Sequence, residues 1–82
     1  MKYNLYAIRD FKTTFMSPII EQSNASAIRN FNHAYLNKDS VMHTHPEDFA
    51  LYLIGTYNAE TGEIIPCTVE LIVSASDFTK GE

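Results

Sequence analysis

Hydrophobic and polar residues change their spacing along this chain, and each change marks an element. In residues 2–9, Tyr3, Leu5 and Ala7 alternate with Lys2, Asn4 and Tyr6, a period of two that predicts a β-strand. Tyr6 and Ile8 make the second face of that strand partly apolar as well, so both faces call for cover. Phe15 to Ile20 is apolar but contains Pro18, which lacks a backbone donor and limits the segment to a short edge strand or an extended connection. From residue 24 to 37 the spacing switches to three and four through Ala27, Ile28, Phe31, Ala34, Tyr35 and Leu36, which predicts a helix capped by Ser23 or Asn24. Arg29, Asn30, Asn32 and His33 fall on its other side. Residues 37–48 are mostly polar and read as a loop, with a turn beginning at Pro46-Glu47-Asp48. Alternation then returns. Phe49, Leu51, Leu53 and Gly55 interleave with Ala50, Tyr52 and Ile54, and Asn58-Ala59-Glu60-Thr61-Gly62 supplies turn residues before a second run from Glu63 to Ser74, so the segment predicts a β-hairpin. Pro66 places an edge or a bulge early in the returning strand, and Val69, Leu71 and Val73 form its expected inward face.

These elements predict a small two-layer α+β domain spanning residues 1–82, an antiparallel sheet of three or four strands with one helix packed on one face. There is no internal repeat, low-complexity tract or linker. One helix covers one face only, and the other is expected to carry Tyr6, Ile8, Tyr52, Ile54 and Ile72. That face, or an unprotected edge strand, predicts a homo-oligomer, most simply a symmetric dimer.

Composition adds bounds. The 82 residues are 45% apolar and 20% charged, which is ordinary for a globular protein. A chain of this size buries only about 60–65% of its unfolded surface, so its stability is marginal. Cys67 is the one cysteine, which rules out an internal disulfide and fits a reducing compartment. The first ten residues break their apolar positions with Asn4, Arg9 and Asp10, so no signal core or spanning helix is expected there, and the cytoplasm where the chain is made is the expected location. The net charge of −4 opposes nucleic-acid binding, but it is unevenly spread. Residues 1–38 hold Lys2, Arg9, Lys12, Arg29 and Lys38 against Asp10 and Glu21, a balance of +3. Residues 39–82 hold Lys80 against eight acids, a balance of −7. One end can face phosphates while the other repels them.

Chemistry-bearing motifs are few. His43 and His45 have the spacing of two ligands on extended chain with Glu47 or Asp48 nearby, but a structural zinc site needs four ligands and Cys67 has no paired spacing, so no metal is expected. The simpler role for His45-Pro46-Glu47-Asp48 is to cap a turn, with His43 in solvent. There is no nucleophile elbow, Cys-His signature or glycine-rich phosphate loop, and the chain reads as a non-enzyme without a cofactor. Aromatic rings are the better lead. Tyr3, Tyr6, Phe11 and Phe15 are interleaved with Lys2, Arg9 and Lys12, and bases of single strands stack on such rings at about 1–3 kcal/mol each. The same rings also suit a small core. The expected DNA-binding set is Lys2, Arg9, Lys12, Arg29, Tyr3, Tyr6 and Phe11.

Three blocks of sequence, in one order, resemble the small nonstructural protein of gokushoviruses, which belong to the Microviridae and infect bacteria. They are Lys2-Tyr3-Asn4-Leu5-Tyr6-Ala7-Ile8-Arg9-Asp10, Asn24-Ala25-Ser26-Ala27-Ile28-Arg29-Asn30-Phe31, and His45-Pro46-Glu47-Asp48-Phe49-Ala50-Leu51-Tyr52 ahead of Thr61-Gly62. The resemblance spans nearly the whole chain and implies a DNA-binding protein, likened to the protein C of phiX-like phages, that works when replication turns to packaging single strands. It supplies no catalytic residues. Ile19 stands after Pro18 where the family often has Phe, so no stacking role transfers to that position. The expected partner is single-stranded viral DNA. An alternative from another class is a protein–protein adaptor for the replication initiator or procapsid, without DNA contact.

Overall fold

The computed structural model describes residues 1–81. β1 (Lys2–Asp10) lies between β2 (Ile19–Glu21) and β3 (Phe49–Asn58), and β3 pairs in turn with β4 (Ile64–Ser74), giving an antiparallel four-stranded sheet of order β2-β1-β3-β4. A 13-residue helix, α1 (Asn24–Leu36), crosses one face. The fold is α+β, as the hydrophobic spacing predicts. Ser23 starts α1 with extended backbone: its hydroxyl accepts the Ser26 amide at 3.1 Å, and the Ser26 hydroxyl accepts the Ser23 amide at 3.3 Å. The loop expected at 37–48 contains more order than its polarity suggested. Ser40 caps a single turn, α2 (Val41–Thr44), and Pro46–Asp48 forms a 3-10 turn leading into β3.

The core lies between α1 and the sheet and contains Tyr6, Ala27, Phe31, Tyr35, Met42, Phe49, Leu51 and Ala75. A second 3-10 segment, Ala75–Gly81, closes its end, bringing the Phe78 ring to 5.7 Å from Phe31 and 5.6 Å from Tyr35. Residues of α1 enter this core as the helical spacing requires, except that Leu36 is exposed.

β1 presents its Tyr6 and Ile8 face to α1, so these two residues leave the uncovered face on which they were expected. Period two separates two faces but does not say which meets the helix when both are apolar. Tyr6 decides it. Its ring is fully buried, and its hydroxyl donates to Asn24 Oδ1 at the start of α1 while accepting from Asn4 Nδ2 at 2.9 Å, so its polar end is satisfied inside the layer. Tyr3, Leu5, Ala7 and Arg9 therefore face away from α1, together with their partners Tyr57, Gly55, Tyr52 and Ala50 on β3.

β4 also departs from expectation. Val69 and Leu71 are half-exposed, and Ile72 packs against the core beside Val73. The cause is register: pairing with β3 shifts between Leu51 and Tyr52 and again between Leu53 and Gly55, and each shift changes which residues point inward. At Gly55 a side chain is excluded, because a Cβ there would stand 2.6 Å from the Ile65 carbonyl oxygen. Among the described residues no helix is long and apolar enough to cross a membrane.

Candidate nucleic-acid interface

α1 packs on one face of the sheet only, and the rings on the other face sit in two groups joined by β1. The first group forms where the chain leaves β1. Asp10 Oδ1 accepts the Lys12 amide at 2.9 Å, the Thr13 amide bonds the Asp10 carbonyl at 3.0 Å, and the chain returns so that Phe15 pairs with Arg9. This reversal places the Arg9 guanidinium 5.0 Å from the Phe15 ring centre and 5.8 Å from that of Phe11. Phe15 also meets Tyr52 edge-on at 5.6 Å. Arg9 Nε is buried without a hydrogen-bond partner, and among the described residues no carboxylate pairs with Arg9. The result is a cation held on two partly exposed rings, its charge not neutralised by any carboxylate of the described residues.

The second group lies at the other end of β1. Tyr3, Ile20, Glu21, Gln22, Ser26 and Arg29 line an open cavity of ≈ 400 Å³ between the β2 edge and the first turns of α1. Between the groups Leu5 and Ala7 are buried floor. Tyr3 and Arg9 lie six residues apart on one face, roughly 20 Å at ~3.3 Å per residue.

Of the expected DNA-binding residues, the structure thus brings Arg9 and Phe11 together at one end and Tyr3 and Arg29 at the other. Lys12 is exposed in the turn after β1. Lys2 is exposed but alternates with Tyr3, on the α1 side of the sheet. Tyr6 is corrected: a ring with no exposed surface offers no base a face. Tyr52 joins the set. Its signal was its phase, opposite to Leu51 and Leu53 in a strand whose other face is core.

His43, expected in solvent, is half-buried, and both it and His45 bond within the fold. His43 Nδ1 lies 2.8 Å from the Tyr35 carbonyl with its ring 5.2 Å from the Tyr35 ring, and His45 Nδ1 lies 2.9 Å from the Thr44 hydroxyl. Among the described residues no three His, Cys, Asp or Glu side chains come together at metal-binding distance. Cys67 is exposed on β4.

Comparisons with curated proteins and with solved structures return no match. A comparison with family models matches residues 3–78, from the second residue of β1 into the last 3-10 segment, to the family described as Phage ORF5 protein. That match takes in every strand and both helices, and the chain accordingly belongs to this family of phage proteins.

Proposed function

We propose that this phage protein is a non-enzymatic single-stranded-DNA-binding protein of a microvirus, acting in genome synthesis or packaging in the cytoplasm of the bacterial host. The observation that carries the reading is the sheet face opposite α1, where Tyr3, Tyr52, Phe11 and Phe15 accompany an Arg9 that no carboxylate of the described residues pairs. Bases of single strands stack on sheet aromatics and their phosphates seek nearby cations, and a span of roughly 20 Å suits about four nucleotides, the lower end of site sizes for one small domain. The resemblance to the gokushovirus protein supports the same reading.

The test is a titration with single-stranded DNA at several salt concentrations. Log affinity should fall against log salt with a slope of about −2 to −3, from three or four cations displacing counterions at ~0.7 each. No binding at low salt, or binding indifferent to salt, rejects the reading.

A second reading is an adaptor that joins the viral replication initiator or procapsid without DNA. The net charge of −4 favours it, as does the outer edge of β4, where Ile64, Ile65, Val69 and Leu71 are exposed. Capture of those viral proteins by a chain that ignores DNA would favour it. Within the first reading the same edge suits a symmetric dimer, because β4 carries Glu70 as its one charged residue and two copies can pair there without opposing like charges at every step.

A further inference from the structure

The cavity between β2 and α1 contains chemistry that backbone binding does not require. Arg29 is exposed, and among the described residues no carboxylate pairs with it. Glu21 lines the same cavity and is held in place from the helix: Ser26 Oγ donates to its Oε1 at 3.3 Å and Asn30 Nδ2 donates to its Oε2 at 2.5 Å. A carboxylate has about four acceptor positions, so two remain after these bonds. No cation of the described residues satisfies them. Tyr3 also lines the cavity while its side chain leaves β1 on the face away from α1, so the cavity borders that face at the β2 edge, and Gln22 adds an exposed amide.

A phosphate is repelled by Glu21 and drawn to Arg29, so a nucleotide placed here has one orientation. Its phosphate lies toward Arg29, its base against Tyr3, and its base edge toward Glu21. A carboxylate accepts and cannot donate. It therefore rewards a base edge bearing an exocyclic amine, as on cytosine or adenine, and disfavours thymine, whose edge is dominated by carbonyl oxygens. The volume agrees: ≈ 400 Å³ stands near the small end of ligand sites, which run from roughly 300 to 1,000 Å³ and so fit one nucleotide rather than several.

From this arrangement we infer that the cavity lined by Tyr3, Glu21, Gln22 and Arg29 is a base-selecting subsite that takes one nucleotide of a bound single strand and discriminates against thymine. The inference rests on the single-strand reading and adds sequence preference to it. Glu21, absent from the expected binding set, becomes the residue that sets specificity.

Oligo(dC) and oligo(dT) of equal length separate this subsite from the general interface, since both stack weakly and differ at the base edge. Oligo(dC) should bind about tenfold more tightly, the discrimination of one good charge-assisted contact. Glu21→Gln, whose amide can donate as well as accept, should bring the two affinities within about twofold while leaving the salt slope of oligo(dC) binding unchanged. If Glu21→Gln proves unstable, oligo(dC) dimethylated at N4, which has lost the exocyclic donors, should bind the parent no more tightly than oligo(dT). Equal affinities in the parent, or a preference untouched by Glu21→Gln and by loss of the N4 donors, overturn the subsite while leaving single-strand binding standing. Displacement of oligo(dC) by dCMP at equal nucleotide concentration would reassign the cavity to a free nucleotide and overturn it too. Failure of either strand to bind defeats the function itself and the subsite with it.

Discussion

Two tyrosines three residues apart in register terms, Tyr3 and Tyr6, have opposite fates, and the difference is which side of one strand each side chain leaves. Tyr6 spends its hydroxyl on Asn24 and Asn4 and its ring on the core. Tyr6→Phe should therefore leave DNA affinity within twofold while lowering stability by about 1–3 kcal/mol, the net worth of two lost hydrogen bonds; a thermal melt alongside the titration checks both. Tyr52 is its converse. Tyr52→Ala should weaken single-strand binding by about 1–3 kcal/mol at every salt concentration, with no change of slope, because a stacking face displaces no ions. Arg9→Ala should do the opposite and make the slope shallower by about 0.7. Phe31 belongs with Tyr6: it is 2% exposed at the centre of the core and packs on Phe78, so Phe31→Ala should cost about 3–5 kcal/mol, much or all of what holds a domain of this size together. A variant melting within a few degrees of the parent would contradict that placement.

At the scale of elements, the helix and the hairpin were legible because their signals are local. The run from Ala27 to Tyr35 needs only a helical period, and Asn58 to Gly62 needs only turn chemistry, with Gly62 taking the positive φ of 79° that the reversal requires. What the spacing could not reveal depends on a partner strand. The phase of β1 turned on Tyr6 finding Asn24, and the inward residues of β4 turned on register shifts against β3, neither of which is written in a strand's own alternation. The interface follows suit: its cations and most of its rings could be read as residue types, but the meeting of Arg29 and Tyr3 at one cavity, and the arrival of Tyr52 beside Phe15, arise only from the tertiary arrangement. The close contact of β3 with β4 can be tested directly. Gly55→Ala should destabilise by about 1–3 kcal/mol, since the Ile65 carbonyl is backbone and must move to admit a methyl group. A neutral result by denaturant titration would mean that the two strands separate there without cost.

Over the whole molecule, the extents of 42 × 23 × 20 Å describe a long body, with the Ile64–Leu71 stretch of β4 exposed throughout. Light scattering on DNA-free protein at micromolar concentration should give a mass above the 9.3 kDa of one chain, and Val69→Lys should return it to that value by setting a charge on the pairing edge. A parent already at 9.3 kDa excludes the dimer. The strand order has a temporal consequence as well. A ribosome delivers β1 first, yet Asp10 has no partner on β3 until Phe49 has been made, and Lys2 none until Asn58. For most of its synthesis the strand that carries Arg9 and Tyr3 has only three-residue β2 to pair with. The β3–β4 hairpin closes within its own sequence, whereas β1 meets β3 across the largest sequence separation in the sheet, a pairing that costs more loop entropy to form. A nascent chain halted after Asp48 should remain open to protease at β1, whereas one released after Ser74 should not.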